Sequence, residues 1–433
     1  MKILILHRVP YGRIQYERGI DHDVNDVTYL GTKEALATLP SGLRHQAVAR
    51  PGMRSAFEEA LDWCDLRHSQ FDRVISLSEY ELLDAAKLRE LLGIQGPSLQ
   101  DVQLVRDKVL MKHAVGTAGI RIPRFARLRA LLEKEETVQW TGQTVLKPHS
   151  GASSEDVVVF ASLVDALMAV TTRSTGIPRL DEGTPALDLY QVEEFISGDV
   201  LHFDGLVANG QVLTITASRY VGTCLGFASG EPLGSFHFPV SATTRHWVAD
   251  VLAAVATRNG SFHLEAIEAQ EGLVFLEVGN RVGGADVVAT FELAAGVHLP
   301  SEELHILIGG EPTRELPPTQ STGAWHGWFV FPGHASTELV YQGIEGIDAY
   351  RRDPGVVRWV ELPRGHALQR KVTYSAGEAP LAGIVAFPTA AATQAWLRGF
   401  FSAARASSPY FKAAQDAKPI THQTASDYRL GVS

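Results

Sequence analysis

Two short apolar runs, Phe262–Ile267 and Phe275–Val278, each carry one carboxylate, Glu265 and Glu277, and the turn Gln270-Glu271-Gly272 lies between them. Aromatic and β-branched residues on either side of a short turn read as two antiparallel strands. The second run passes directly into Gly279-Asn280-Arg281-Val282-Gly283-Gly284. Magnesium prefers hard oxygen ligands and commonly uses one or two protein carboxylates plus substrate phosphates. A single strand glutamate is ordinarily a solvated side chain. Two in neighbouring apolar strands, followed by an arginine and two glycines, point instead to a metal and phosphate site.

The 433 residues exceed what one hydrophobic core usually serves, so two to four domains are expected. A net charge of −10 argues against nucleic-acid binding, which needs a basic face to displace condensed counterions. Cys64 and Cys224 are the only cysteines, too few for a disulfide framework or a zinc site. The apolar opening Met1–Leu6 ends at His7-Arg8, short of a signal segment, and no run approaches the roughly 20 apolar residues of a membrane span. A cytoplasmic protein with no membrane partner is expected.

Lys2–Leu6, Val27–Tyr29 and Phe71–Leu77 read as buried strands, with a helix from Glu79 to Leu92, so the first hundred residues predict a Rossmann-like α/β layer. The chain lacks G-x-G-x-x-G, so no dinucleotide is implied. Thr144–Pro148 is a strand closed by proline, followed by the small-residue loop His149–Ser154 and a strand Val157–Phe160. Thr172–Asp188 is expected to be an exposed polar stretch before a strand at Leu189–Ile196. Asn209-Gly210 between two apolar runs predicts a hairpin. The glycine-rich segment Tyr220–His237 reads as a long binding loop or lid. A helix over about 243–258 precedes the carboxylate strands. Beyond Pro317-Pro318 the chain is strand-rich with a helix around 391–404, and the polar tail from Ser407 is expected to lack fixed structure.

Lys147 ends an apolar strand just before the Gly151–Ser154 loop, whose backbone amides, with Ser153 and Ser154, are suited to approach phosphate. No Walker A sequence is present. Glu193-Glu194-Phe195-Ile196 forms a strand edge able to meet an adenine through backbone atoms and one carboxylate.

In this order, Asp107-Lys108, Val145–Pro148 with its loop, Val192–Gly198, Glu265 and Glu277–Gly284 resemble the ATP-grasp superfamily of carboxylate–amine and carboxylate–thiol ligases. The resemblance covers about residues 107 to 310. It implies an α/β protein, α+β in its ATP-binding part. A Rossmann-like domain (1–105) would precede a two-lobed ATP-grasp core (106–310, with a mobile lid lobe at about 117–195). A β-rich portion (311–406), similar to that of bacterial L-amino-acid ligases, would complete the large lobe, and 407–433 would be a tail.

The resemblance further implies ATP with Mg²⁺, or Mn²⁺, as cofactors. Lys108, Lys147, Ser153 and Ser154 would hold phosphates, and Glu193, Glu194, Phe195 and Ile196 would meet adenine, with His202 near the nucleotide. Glu265 and Glu277 would hold metal, and Arg281 would face the transferred phosphoryl group. The family commonly reads Glu-x-Asn-Pro-Arg, whereas Gly279 stands here at the asparagine position, so either Asn280 substitutes as a ligand through a shifted backbone or water completes the shell. Small-molecule carboxylate and amine substrates are implied, and a homodimer is compatible. A thiol or bicarbonate co-substrate, or a nucleotide-binding regulator without turnover, are the alternatives. Arg219, His237 and Asp286 are candidate substrate contacts.

Overall fold

The computed structural model describes residues 1–63, 66, 70–151, 153–310 and 323–407. Cys64, the Pro317-Pro318 boundary, Ala152 of the small-residue loop and the tail beyond Ser407 lie outside these residues. No described helix is long and apolar enough to cross a membrane.

The chain forms three sheets in succession. The first is parallel, with β1 (Lys2–His7), β2 (Asp26–Gly31), β3 (Gln46–Ala49) and β4 (Arg73–Ser76) in the order β3-β2-β1-β4. Ile3 and Ile5 pack into one core and Leu4 and Leu6 into another. Burial on both faces is why β1 reads as an unbroken apolar run. The strand order reverses beside β1, which opens a crevice at the carboxyl ends of β1 and β4. A 3₁₀ turn, Glu79–Glu81, and the helix Leu82–Leu92 leave that end.

The second sheet is small and antiparallel: β5 (Phe125–Arg127), β6 (Thr144–Pro148), β7 (Val158–Phe160) and β8 (Tyr190–Glu194), in the order β5-β8-β6-β7. The stretch 172–188 does not run free in solvent as expected. Ile177 and Leu180 are buried in this lobe's core, and Asp181 accepts hydrogen bonds from the backbone of Thr175 and Gly176. Two buried aliphatic residues hold an otherwise polar segment against the sheet.

The third sheet has eight antiparallel strands. These are β9 (Asp199–Ala208), β10 (Gln211–Val221), β11 (Leu233–Phe238), β12 (Gly260–Ala269), β13 (Gly272–Gly279), β14 (Trp325–Phe331), β15 (Val356–Glu361) and β16 (Leu381–Phe387). Their order is β13-β12-β9-β10-β11-β14-β16-β15. Asn209 and Gly210 both take positive φ, as a tight hairpin between β9 and β10 requires. One face of β9, β10, β12 and β13 is apolar and buried with Val248, Val251 and Leu252 of the helix Ala242–Ala254. The segment 220–237 corrects its sequence reading. It contains the helix Cys224–Ala228 and then β11, which pairs with both β10 and β14. Its partner β14 is almost a hundred residues away, so local glycine content gave no sign of the pairing.

Candidate functional site

Glu265 and Glu277 are direct cross-strand partners in the β12–β13 ladder, and the register shifts immediately after Glu265. Like charges placed opposite each other across a sheet destabilise it unless a cation intervenes. Both carboxylates are drawn well into the protein, with side-chain exposures of 12% for Glu265 and 33% for Glu277. Lys108 lies 3.2 Å from Glu277; burial alone would raise the Glu277 carboxyl, but the charges of Lys108 and Lys147 outweigh it and hold the group below the usual carboxylate range. The Glu265 Oε1 accepts from the Tyr220 hydroxyl at 2.8 Å and stands 3.5 Å from His263 Nε2. Each carboxylate therefore has one oxygen engaged by protein. The donor set suits a hard divalent cation.

Lys108 opens the helix Lys108–Thr117, which Asp107 caps by accepting from the amides of Val109 and Leu110 at 2.8 and 3.0 Å. This start fixes the Lys108 ammonium 3.0 Å from the carbonyl of Gly151, so one cation links the small-residue loop to the carboxylate floor. Gly151, Ser153, Ser154 and Asp156 all take positive φ. Three of these are not glycine, so the loop holds strained backbone.

Lys147 is buried at the end of β6 and ion-paired with Glu193. Lys112, one turn after Lys108, is fully buried and reaches the same carboxylate at 3.0 Å. Burial brings the Lys112 pKa down to about 8, whereas Glu193 outweighs burial at Lys147 and raises it. Two buried ammonium groups thus share one carboxylate beside Lys108. The surplus positive charge suits a phosphate chain. Lys112 was not among the sequence candidates, although its i,i+4 spacing from Lys108 places it on the same helix face.

The other sequence candidates each have partners or burial of their own in this structure. Glu193 is turned to Lys112 and Lys147, and Glu194 accepts from the Arg124 backbone and guanidinium at 2.9 and 2.7 Å. Both carboxylates are thus engaged by cationic groups of the protein itself. The amides of Glu194 and Phe195 also donate elsewhere, to Arg124 and Gln143, which leaves the Phe195 ring exposed and Ile196 half-buried. His202 is buried and bonded to Asp204 at 2.5 Å and Ser235 at 2.6 Å.

Asn280 donates its side-chain amide to the carbonyls of Ser261 (2.7 Å) and Asn259 (3.3 Å), tying the end of β13 to the start of β12. The glycine before it has a local reason: a Cβ on Gly279 would lie 3.3 Å from Cγ and 3.6 Å from Nε of Arg281, whose side chain crosses that face. Arg281 Nε donates to Glu79 at 2.5 Å, and Glu79 also pairs with Arg106. The N-terminal crevice thereby reaches the carboxylate floor through Glu79, a contact no local pattern announces. Of the three candidate substrate contacts, Arg219 is paired with Asp199 and Glu268, Asp286 is paired with Arg358, and His237 is buried.

No family model matches the chain. Among curated proteins it is 25% identical over 287 residues to an L-arginine-specific L-amino acid ligase of Bacillus subtilis, covering 65% of this chain and 67% of that one. Its fold is similar to the crystal structure of an L-amino acid ligase from Bacillus licheniformis, with a TM-score of 0.67, 18% identity and coverage of 93% and 97% of the two chains. It is also similar to a carboxyaminoimidazole ribonucleotide synthase from Aspergillus clavatus complexed with ATP, with a TM-score of 0.64, 12% identity and coverage of 94% and 99%.

Proposed function

We propose that this chain, an ATP-grasp carboxylate–amine ligase, joins two amino acids through an acyl phosphate and releases ADP and phosphate. The observation that carries the reading is the cross-strand pair Glu265–Glu277 set against Lys108 and the buried Lys112–Glu193–Lys147 cluster. ATP would lie between the small sheet and the eight-stranded sheet. Lys108 and Lys147 would neutralise its phosphates, while Ile196, Phe195 and the linker backbone would bound its base.

Glu265 and Glu277 would hold Mg²⁺, or Mn²⁺ in its place. The ion would screen the phosphate oxygens and draw charge from the transferring group. Arg281 stands at the same floor, held there through its Nε by Glu79, and its guanidinium would face the phosphoryl group as charge develops. The substrate carboxylate oxygen forms a bond to the γ-phosphorus as the bond to ADP breaks. An amine then attacks the acyl carbon, loses a proton, and expels phosphate. The loop around Ser153 and Ser154 would close over this intermediate and exclude water. A requirement for ATP would suit a cytoplasmic reaction.

The test is a panel of amino-acid pairs with ATP and Mg²⁺. L-arginine heads it because it is named for the Bacillus subtilis relative. Phosphate release and a new amide, seen by mass spectrometry, should both require a carboxylate and an amine donor. Phosphate release indifferent to both would overturn the reading.

A further inference from the structure

Beneath Glu265, on the opposite side of the sheet from the apolar core, five polar residues from β12, β9 and β11 join in one chain that crosses over β10. The Ser235 hydroxyl on β11 meets His202 Nε2 at 2.6 Å, His202 Nδ1 meets Asp204 at 2.5 Å, and the other Asp204 oxygen meets His263 Nδ1 at 2.7 Å. His263 Nε2 then faces Glu265 at 3.5 Å. Register makes this possible, because Glu265 pairs with His202 and His263 with Asp204 across β12 and β9. Asp204, His202 and Ser235 are each no more than 1% exposed. A buried carboxylate costs several kcal/mol unless its oxygens are satisfied, and here each oxygen has its own imidazole.

The Gly283 backbone closes over this chain. A Cβ there would stand 2.7 Å from the Asp204 carboxylate and 2.9 Å from His263 Nδ1. One glycine of the Gly283-Gly284 pair thus has a use that phosphate binding does not supply. His202, Asp204 and His263 are also close enough to form a cation site of their own. Both hydrogen bonds at 2.5–2.7 Å and the Gly283 backbone leave that reading little room.

We infer that Asp204 is a positioning residue: through His263 it fixes the Glu265 carboxylate so that one oxygen stays directed at the metal position beside Glu277. Tyr220 holds Glu265 Oε1 from the other side. The inference rests on the proposed metal role of Glu265 and Glu277. Groups that orient a ligand are typically worth 10–100-fold in metal affinity.

The experiment titrates the full-length protein, saturated with ADP, with Mn²⁺ by electron paramagnetic resonance, and checks folding by near-ultraviolet circular dichroism. Asp204→Asn should remain folded and bind Mn²⁺ about 10–100-fold more weakly. Gly283→Ala, which pushes a methyl group onto the same pair, should weaken binding in the same direction. If Asp204→Asn does not fold, Ser235→Ala, which removes one outlying hydrogen bond, decides by the same readout. Unchanged Mn²⁺ affinity in a folded variant, with Glu265→Gln losing it, would overturn the positioning role and leave the metal site standing. Unchanged affinity in Glu265→Gln itself would remove the underlying site. A stoichiometric transition metal in the purified protein that Asp204→Asn lacks would overturn positioning in favour of a separate cation site.

Discussion

At Glu277 a carboxylate faces another across the ladder, with one lysine at its side. Glu277→Gln keeps the shape and removes the charge, and a neutral amide is a poor ligand for a hard cation. ADP formation in the presence of amino acids should fall to background while the circular dichroism spectrum is unchanged. Arg281 predicts a different pattern. Its guanidinium lies over Gly279 and is held by Glu79. In Arg281→Ala, kcat should drop on the order of 10²–10³-fold, as when a donor to developing charge is lost. KM for ATP should change by much less. Steady-state kinetics separates the two, and equal losses in kcat/KM through KM alone would place Arg281 in ground-state binding. The same reasoning explains the departure at Gly279: a side chain there would occupy the path that Arg281 takes.

The helix Leu299–Leu307 lies under the carboxylate strands and brings Glu303 against Ser261 and Gly260 at the start of β12. Burial raises the Glu303 pKa to about 7, partly offset by Ser261. Between the unfolded value of 4.5 and about 7, the folded state keeps a proton that the unfolded chain has released. Its contribution is therefore most favourable below pH 4.5 and declines as pH rises through 7. Glu303→Gln should remove that decline and be more stable than the parent at pH 8. The gap relative to pH 5 should be on the order of 3 kcal/mol at most, read from urea melts. A pH-independent gap would show that Glu303 ionises freely in the fold.

Elements with local signals were legible from sequence: β6 with its terminal proline, the Asn209-Gly210 hairpin, and the two carboxylate strands, whose direct pairing the turn Gln270-Glu271-Gly272 already implied. β11 was not, because its alternation is short and one of its partners comes from residues 325–331. The roles of Glu193 and His202 were also hidden. Their partners Lys112, Lys147, Asp204 and Ser235 meet them only through tertiary packing.

Three sheets contribute to one floor, and Glu79 is where the first of them arrives. It sits just past β4 at the crevice where the strand order reverses, and it binds both Arg106 and Arg281. Burial alone would raise its pKa, but the two guanidinium groups more than offset this and hold it below the ordinary value. Its stabilising contribution is thus present above the unfolded pKa and lost as pH falls through the lowered folded one.

Breaking a buried ion pair from one side can cost 3–5 kcal/mol, but these side chains are 12–23% exposed and solvent screens part of that. Glu79→Gln should therefore cost about 1–3 kcal/mol. The loss should be local: amide hydrogen exchange should quicken in β4 and the helix Leu82–Leu92, while the small sheet β5–β8 exchanges as before. Turnover should fall as well, because Arg281 loses the partner that keeps it at the floor. Uniform acceleration across all three sheets would mean that Glu79 supports global stability rather than the junction. Unaltered exchange and turnover would mean that the N-terminal sheet reaches the site by some other contact.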